Sequence, residues 1–221
     1  MMLDEPKLSD QTSRREFVRA ASIALSLPLL FGCRSDMFAQ GAVHDLRQGL
    51  LRNAITDPSC SWCGARDMPA TVGPAALIAP KPEAGERIAI RGTVYGKDGK
   101  TPYANALIYA YHTDIHGIYG RGNEHKHGRF RGWMLTDTNG QYSFETILPA
   151  SYPNSTIAKH IHMTVTTVER KEDWIDSILF EGDRFITARE RVITKGGFNP
   201  ILSLAKDRNG VLSGVRDIML T

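Results

Sequence analysis

Long hydrophobic runs are missing from this sequence. The longest apolar stretch, residues 20–31, is about 12 residues, and a bilayer-spanning helix takes roughly 20. Cysteine is scarce, with three in 221 residues. That is too few for a disulfide-dense mini-protein, and no second C-x-x-C exists to complete a four-thiolate zinc site with Cys60 and Cys63. Charge of one sign is also scarce: 27 Lys and Arg against 24 Asp and Glu leave a formal charge of +3. No long basic run appears, so no nucleic-acid partner is expected. Repeats and low-complexity tracts are lacking, and 42% hydrophobic with 23% charged residues describes a folded chain rather than a disordered one.

What is present begins with a leader-like N-terminus. Ser13-Arg14-Arg15-Glu16-Phe17 precedes the short apolar stretch. This resembles a twin-arginine (Tat) export signal and predicts a periplasmic or cell-surface protein. Leu30-Phe31-Gly32-Cys33 resembles a lipobox, in which Cys33 would be lipidated and become the mature terminus. Such an anchor is the one expected link to a membrane, with cleavage near Ala39 as the alternative. In an exported protein the Cys60-Ser61-Trp62-Cys63 stretch is expected to hold a local disulfide or two inert thiols. Pro58, Gly64, Pro69 and Gly73 around it oppose the strand-then-helix setting of a thioredoxin-type redox site.

The 20 glycines and 11 prolines favour turns and a β-rich fold. Three parts are expected: residues 1–32 as the export leader, 33–85 as an irregular wrapping arm, and 86–221 as an all-β domain. The arm carries a short helix at 43–54, then five prolines that break regular structure. Strands are predicted at 87–95, 104–112, 129–136, 141–147, 160–168, 175–180 and 211–220, from alternating or β-branched patterns between Gly/Asx turns. A short helix is predicted at 187–192. Seven strands at this spacing are typical of an antiparallel sandwich or barrel, and the all-β antiparallel β-sandwich is the fold expected.

The sharpest chemical feature is His160-Ile161-His162 in a predicted strand. Residues i and i+2 of a strand share a face, roughly 6.5 Å apart, so two imidazoles can converge on one ion. A cupin would place a Glu shortly afterwards, where this chain has Thr166 and Thr167. A 2-His-1-carboxylate iron site would need Asp114, Asp137 or Asp183, each in a turn context. A three-His zinc hydrolase would recruit His112 or His116. Tyr119 and Tyr152, both in loops, are unusual candidate ligands, because a phenol ionises near pH 10 and becomes phenolate beside a trivalent cation. His125 and His127 are expected in a solvated loop, with the lip of a pocket as the alternative. His44 is expected at the surface, and Trp133 and Trp174 in packing roles.

Four stretches together resemble the intradiol ring-cleavage dioxygenases, the catechol and protocatechuate group. They are Ile90-Arg91-Gly92-Thr93-Val94; Tyr111-His112-Thr113-Asp114 leading to Gly117-Ile118-Tyr119; Phe130-Arg131-Gly132 leading to Thr136-Asp137 and Gly140-Gln141-Tyr142-Ser143-Phe144; and Thr146-Ile147-Leu148-Pro149 leading to Tyr152-Pro153 and His160-Ile161-His162. Order and spacing match across about residues 86–185. The resemblance implies a non-haem Fe(III) held by Tyr119, Tyr152, His160 and His162. It implies an oxidoreductase that opens a catechol-type ring with O2 to a muconate-type diacid, with Tyr152 accepting a substrate proton. The small aromatic diol and O2 would be its partners, and a homo-oligomer its assembly.

One departure stands out. The family usually carries an Arg three residues before the first His, and this chain has Ile157 there. Lys159 adjoins His160 and points to the other face; Arg129 and Arg131 are the loop candidates to replace the missing charge. Two further readings therefore stay open: a non-catalytic exported β-sandwich that binds metal or aromatics, and a zinc hydrolase using His160, His162 and His112.

Overall fold

The β2 strand, Arg87–Tyr95, alternates side chains so strictly that Ile88, Ile90 and Val94 are fully buried while their neighbours face outward. That period of two is what seats one face of a sheet on a core. It organises a computed structural model that describes residues 32–120, 125–192 and 195–221. Residues 1–31 of the expected leader, 1–32, lie outside the described residues, and the twin-arginine stretch lies with them.

The other strands in chain order are β1 (Ala75–Leu77), β3 (Leu107–Tyr111), β4 (Arg131–Leu135), β5 (Gln141–Ile147), β6 (His160–Thr166), β7 (Asp173–Phe180), β8 (Ile201–Leu202), β9 (Ala205–Lys206), β10 (Leu212–Val215) and β11 (Ile218–Met219). They form two sheets. One has the order β1-β5-β2-β10-β9 with β11 also on β2; the other has the order β4-β3-β6-β7-β8. The all-β sandwich expected from the sequence is the fold. Its central ladders β2·β5, β3·β4, β3·β6 and β6·β7 are antiparallel. Parallel pairs at β1·β5, β2·β10, β2·β11 and β7·β8 make both sheets mixed.

Ile88, Ile90, Ile108, Phe130, Phe144, Ile161, Met163 and Val165 belong to one buried cluster between the sheets. Each such side chain, fully buried, stabilises the fold by about 1.5–3 kcal/mol. β3 is buried on both faces along its whole length. Its outer face is covered by the segment from Leu46 onward, where Leu50, Ala54, Ala65 and Met68 pack with Leu107.

The chain divides into two units, Met1–Asp45 and Leu46–Thr221. A helix, α1, runs Gly32–Asn53 across that division, so it starts well before the expected residue 43. The stretch expected to be irregular also holds a 3-10 turn, Ala65–Asp67, and β1. β1 forms because Ala75 to Leu77 pair with Ser143 to Glu145, a long-range contact with no local signature. The expected last strand is interrupted at Arg216 and Asp217, and residues 187–192 are turns rather than a helix.

Candidate metal centre

β6 brings two imidazoles to one face. The ladder with β7 shifts register between Ile161 and Met163, and such irregularities re-aim side chains beside functional sites. The His160 and His162 Nε2 atoms lie 2.9 Å apart. The His160 Nδ1–H donates to the Ala158 carbonyl at 2.7 Å, which leaves the Nε2 lone pair free. His162 Nδ1 sits 3.2 Å from the Ser177 hydroxyl. Orienting bonds of this kind to the far nitrogen are typical of metal-bound histidines.

Two loops bring up the phenols. Asp114 Oδ1 accepts the His116 and Ile118 amides at 2.8 and 3.1 Å, shaping the turn that leads to Tyr119. The Ala150 amide donates to the Asp114 carbonyl at 3.1 Å, and the Thr113 hydroxyl donates to the Ala150 carbonyl at 2.7 Å. Gly117, at φ +77°, passes so close to the Ser151 carbonyl that a Cβ would lie 2.0 Å from it. The two loops are thus locked together, and the Tyr119 and Tyr152 hydroxyls meet at 2.7 Å. Tyr152 Oη is also 3.1 Å from His160 Nε2 and 3.3 Å from His162 Nε2.

All four residues expected from the sequence to hold a metal therefore converge. A first-row metal bound at roughly 2.0–2.1 Å places adjacent ligand atoms about 3 Å apart, which is the spacing of these four donors. Their protonation suits a cation as well. Burial, then repulsion from the neighbouring His160 and His127 if they too were protonated, holds the His162 imidazole down at about 3. Burial lowers His160 too, so both are neutral, lone-pair donors at pH 7. Burial, then the hydrogen bond with Tyr152, pushes the Tyr119 phenol well above its ordinary value. A phenolate at that place needs a metal beside it.

The other metal readings lose their ligands. His112 Nδ1–H donates to the Thr113 carbonyl at 2.7 Å and Nε2 meets the Thr146 hydroxyl at 2.6 Å, so neither nitrogen is available to a zinc ion; His116 is exposed. Asp137 caps a turn through the Asn139 and Gln141 amides, and Asp183 accepts the Lys159 and Phe185 amides. Among the described residues no three His, Cys, Asp or Glu cluster as a metal site.

His127 corrects the sequence expectation. It is buried, not solvated: Tyr111 stacks on it at 3.8 Å between ring centres and 9° between planes. Its Nδ1 meets the Tyr109 hydroxyl at 2.7 Å, and its Nε2–H donates to the Ser61 carbonyl at 2.7 Å. Burial, opposed by the bond to Ser61, lowers it to about 4. Tyr111 stacks in turn on His162 at 4.7 Å. The partners are 18 and 66 residues away in sequence, so no local pattern marks this residue.

A cavity of about 390 Å³ opens over the donor set, lined in part by Tyr119, Tyr152, His162, His127, Lys126 and Trp174. Larger hollows of about 460 and 550 Å³ lie along β1, β2 and β5 and include none of the four donors. Trp174 is 45% exposed and faces the cavity instead of packing inside. Trp133 does pack, its indole N–H donating to the Gly64 carbonyl at 2.8 Å. Cys60 and Cys63 form the expected local disulfide, and the enclosed Ser61 and Trp62 line the cavity too. Ile157 is 51% exposed. Arg129 pairs with Glu83 at 2.9 Å and Arg131 donates to the Gly128 carbonyl at 2.7 Å. Neither is among the described residues that line the cavity.

The chain is similar to several known proteins. The family model described as Dioxygenase matches residues 68–206. A catechol 1,2-dioxygenase of Acinetobacter baylyi is 34% identical over 87 residues, which is 38% of this chain and 28% of that enzyme. A catechol 1,2-dioxygenase of Candida albicans is 36% identical over 66 residues, 29% of this chain and 22% of that enzyme. The matches thus span about a quarter of the length of these relatives. Among solved structures, a chlorocatechol 1,2-dioxygenase from Pseudomonas putida superposes with a TM-score of 0.53 at 18% identity, covering 93% of this chain and 94% of that one. The dioxygenase domain of a dioxygenase carbohydrate-binding fusion from Streptomyces sp. SirexAA-E gives 0.52 at 20% identity, over 68% of this chain and 89% of that one. These structural likenesses show a common fold, and the family model covers more than half of the chain. The chain belongs to the intradiol ring-cleavage dioxygenase family.

Proposed function

We propose that the protein is a non-haem Fe(III) dioxygenase that opens a catechol-type ring between its two hydroxyl carbons, placing both atoms of O2 in a muconate-type diacid. The observation that carries this reading is the meeting of two phenols and two imidazoles, with neighbouring donor atoms 2.7–3.3 Å apart. Tyr119, Tyr152, His160 and His162 would hold the ion. Ferric iron at that place supplies Lewis acidity toward a diol and its ring.

The chain's own groups do the rest. Tyr152 Oη stands at the centre of the donor set, within 3.3 Å of three partners, and is the group placed to take a proton from a substrate hydroxyl. Tyr111 backs His162 with its ring, and the Ala158 carbonyl fixes the His160 tautomer. We further propose that the protein works outside the cytoplasm; the disulfide and the twin-arginine stretch support an oxidising compartment.

The test is the optical spectrum and oxygen uptake of the purified, iron-loaded protein. Visible absorption from tyrosinate-to-iron charge transfer, changing when catechol is added, with one O2 consumed per ring, is the expected result. A folded protein that takes up no iron and stays colourless overturns the reading. A second reading, a non-catalytic binder of metal or aromatics, draws support from exposed Ile157 in place of the family's Arg. Colour and catechol binding without oxygen uptake would establish it instead.

A further inference from the structure

The cavity over the donor set has an uneven charge. Among the described residues lining it, Lys126 is the one ionised side chain outside the donor set, and no carboxylate lines it. Lys126 is exposed, whereas His162 and Tyr152 are partly buried, so the positive charge sits toward the mouth and the donors toward the floor. The ammonium is also positioned. It donates to the Cys60 carbonyl, and Cys60 is fixed by its disulfide to Cys63. The loop is held on both sides of Cys63, the Ser61 carbonyl by His127 and the Gly64 and Ala65 amides just after the disulfide by the Glu172 carboxylate at 2.8 and 3.0 Å. An ammonium has three donors, and one bond to Cys60 leaves two for a ligand. Trp62 and Trp174 supply flat apolar walls in the same cavity.

A volume of about 390 Å³ falls in the range that holds ligands larger than one ring. From this arrangement, and resting on the proposed dioxygenase reading, we infer that Lys126 is a specificity-determining residue selecting catechols that carry a short acidic side chain. The diol lies at the donor set, the arm runs between the tryptophans, and the terminal carboxylate meets the Lys126 ammonium. Exposed Lys126 and its tether to the disulfide loop make this a subsite separate from the four converging residues.

The experiment compares 3-(3,4-dihydroxyphenyl)propanoate, its neutral methyl ester and the cationic 2-(3,4-dihydroxyphenyl)ethylamine. Calorimetric Kd and oxygen-uptake kcat/KM are measured on the iron-loaded full chain, wild type, Lys126→Met and Lys126→Glu. Wild type is expected to prefer the acid to its ester by about tenfold, as one charge pair in a partly desolvated site supplies. Lys126→Met brings acid and ester level, and Lys126→Glu puts the amine ahead of the acid. Equal affinity of wild type for acid and ester, or an acid-to-ester ratio unchanged in Lys126→Met, overturns the inference. If Lys126→Glu does not fold, Lys126→Met decides. If no compound is oxidised, the dioxygenase reading fails by itself, and the Kd ratios still decide the role of Lys126.

Discussion

Tyr152 and His112 are both polar side chains beside β3 and β6, but the structure gives them different work. Tyr152 Oη touches three other donor atoms. Tyr152→Phe removes that oxygen without changing ring packing, so iron-loaded variant protein should lose visible intensity and about 10²–10⁴ in kcat/KM, the usual worth of a positioned acid or base. Spectra and oxygen uptake on the same sample check this. His112 is fully buried, with its ring nitrogens bonded to the Thr113 carbonyl and the Thr146 hydroxyl; burial, opposed by the bond to Thr113, lowers it to about 4. Unfolded, it takes up a proton near 6.5. Between these values the unfolded state binds more protons, so stability rises with pH and is lost as pH falls from about 6.5 toward 4. The slope from this group is about 1.4 kcal/mol per pH unit at most. Urea unfolding of wild type and His112→Gln at pH 7, 6, 5.5 and 5 should show a shallower acid loss in the variant. At this scale the sequence disclosed the residues that are close in order, His160 and His162, with Tyr119 and Tyr152 following from the family pattern. It concealed His127, because burial in a loop depends on Tyr109 and Ser61 arriving from elsewhere.

Between elements, Glu172 ties the covering segment to the sheet. Its buried carboxylate accepts the Gly64, Ala65 and Ile55 amides and the Thr164 hydroxyl, at 2.8 to 3.1 Å. Glu172→Ala leaves three amides without that acceptor, and a stranded buried donor costs about 1–3 kcal/mol. A loss of about 3–5 kcal/mol is expected, seen as a fall in Tm of roughly 6–20 °C for a chain of this size. Glu172→Gln keeps one acceptor oxygen and should lose less. Calorimetry on both variants checks the order. Strands with their own alternation were legible: β2 and β5 run over the residues that the pattern predicts. β1 was not, because three residues in a proline-rich stretch become a strand only through Ser143 to Glu145. The division between β10 and β11 was hidden for a similar reason. The Arg216 amide donates to the Arg91 carbonyl and Asp217 Oδ1 accepts the Thr93 amide, both at 2.8 Å, so the chain turns aside to satisfy β2.

Across the whole molecule, the donor set joins three parts of the chain that share no local bonding pattern. Tyr119 comes from the loop after β3, Tyr152 from the loop after β5, and His160 and His162 from β6. An ion bound to all four is bound to the folded state alone, because no unfolded chain brings the Tyr119 hydroxyl and both imidazoles around the Tyr152 hydroxyl at 2.7 to 3.3 Å. Binding of that kind adds stability by mass action, about 4 kcal/mol when free metal is a thousandfold above Kd. For a chain of this length that is a rise in Tm of roughly 8–16 °C. Ferric-loaded protein should therefore melt well above protein stripped with a chelator, and Tyr119→Phe with His162→Gln should show a much smaller gap between the two states. The pair is tested together because a single loss leaves three ligands and partial binding. The variant also removes two groups whose unmetallated forms are costly to bury, so its stripped Tm should lie near that of stripped wild type. Equal Tm for loaded and stripped wild type, at saturating iron, would mean that the four side chains meet for packing and hydrogen bonding alone.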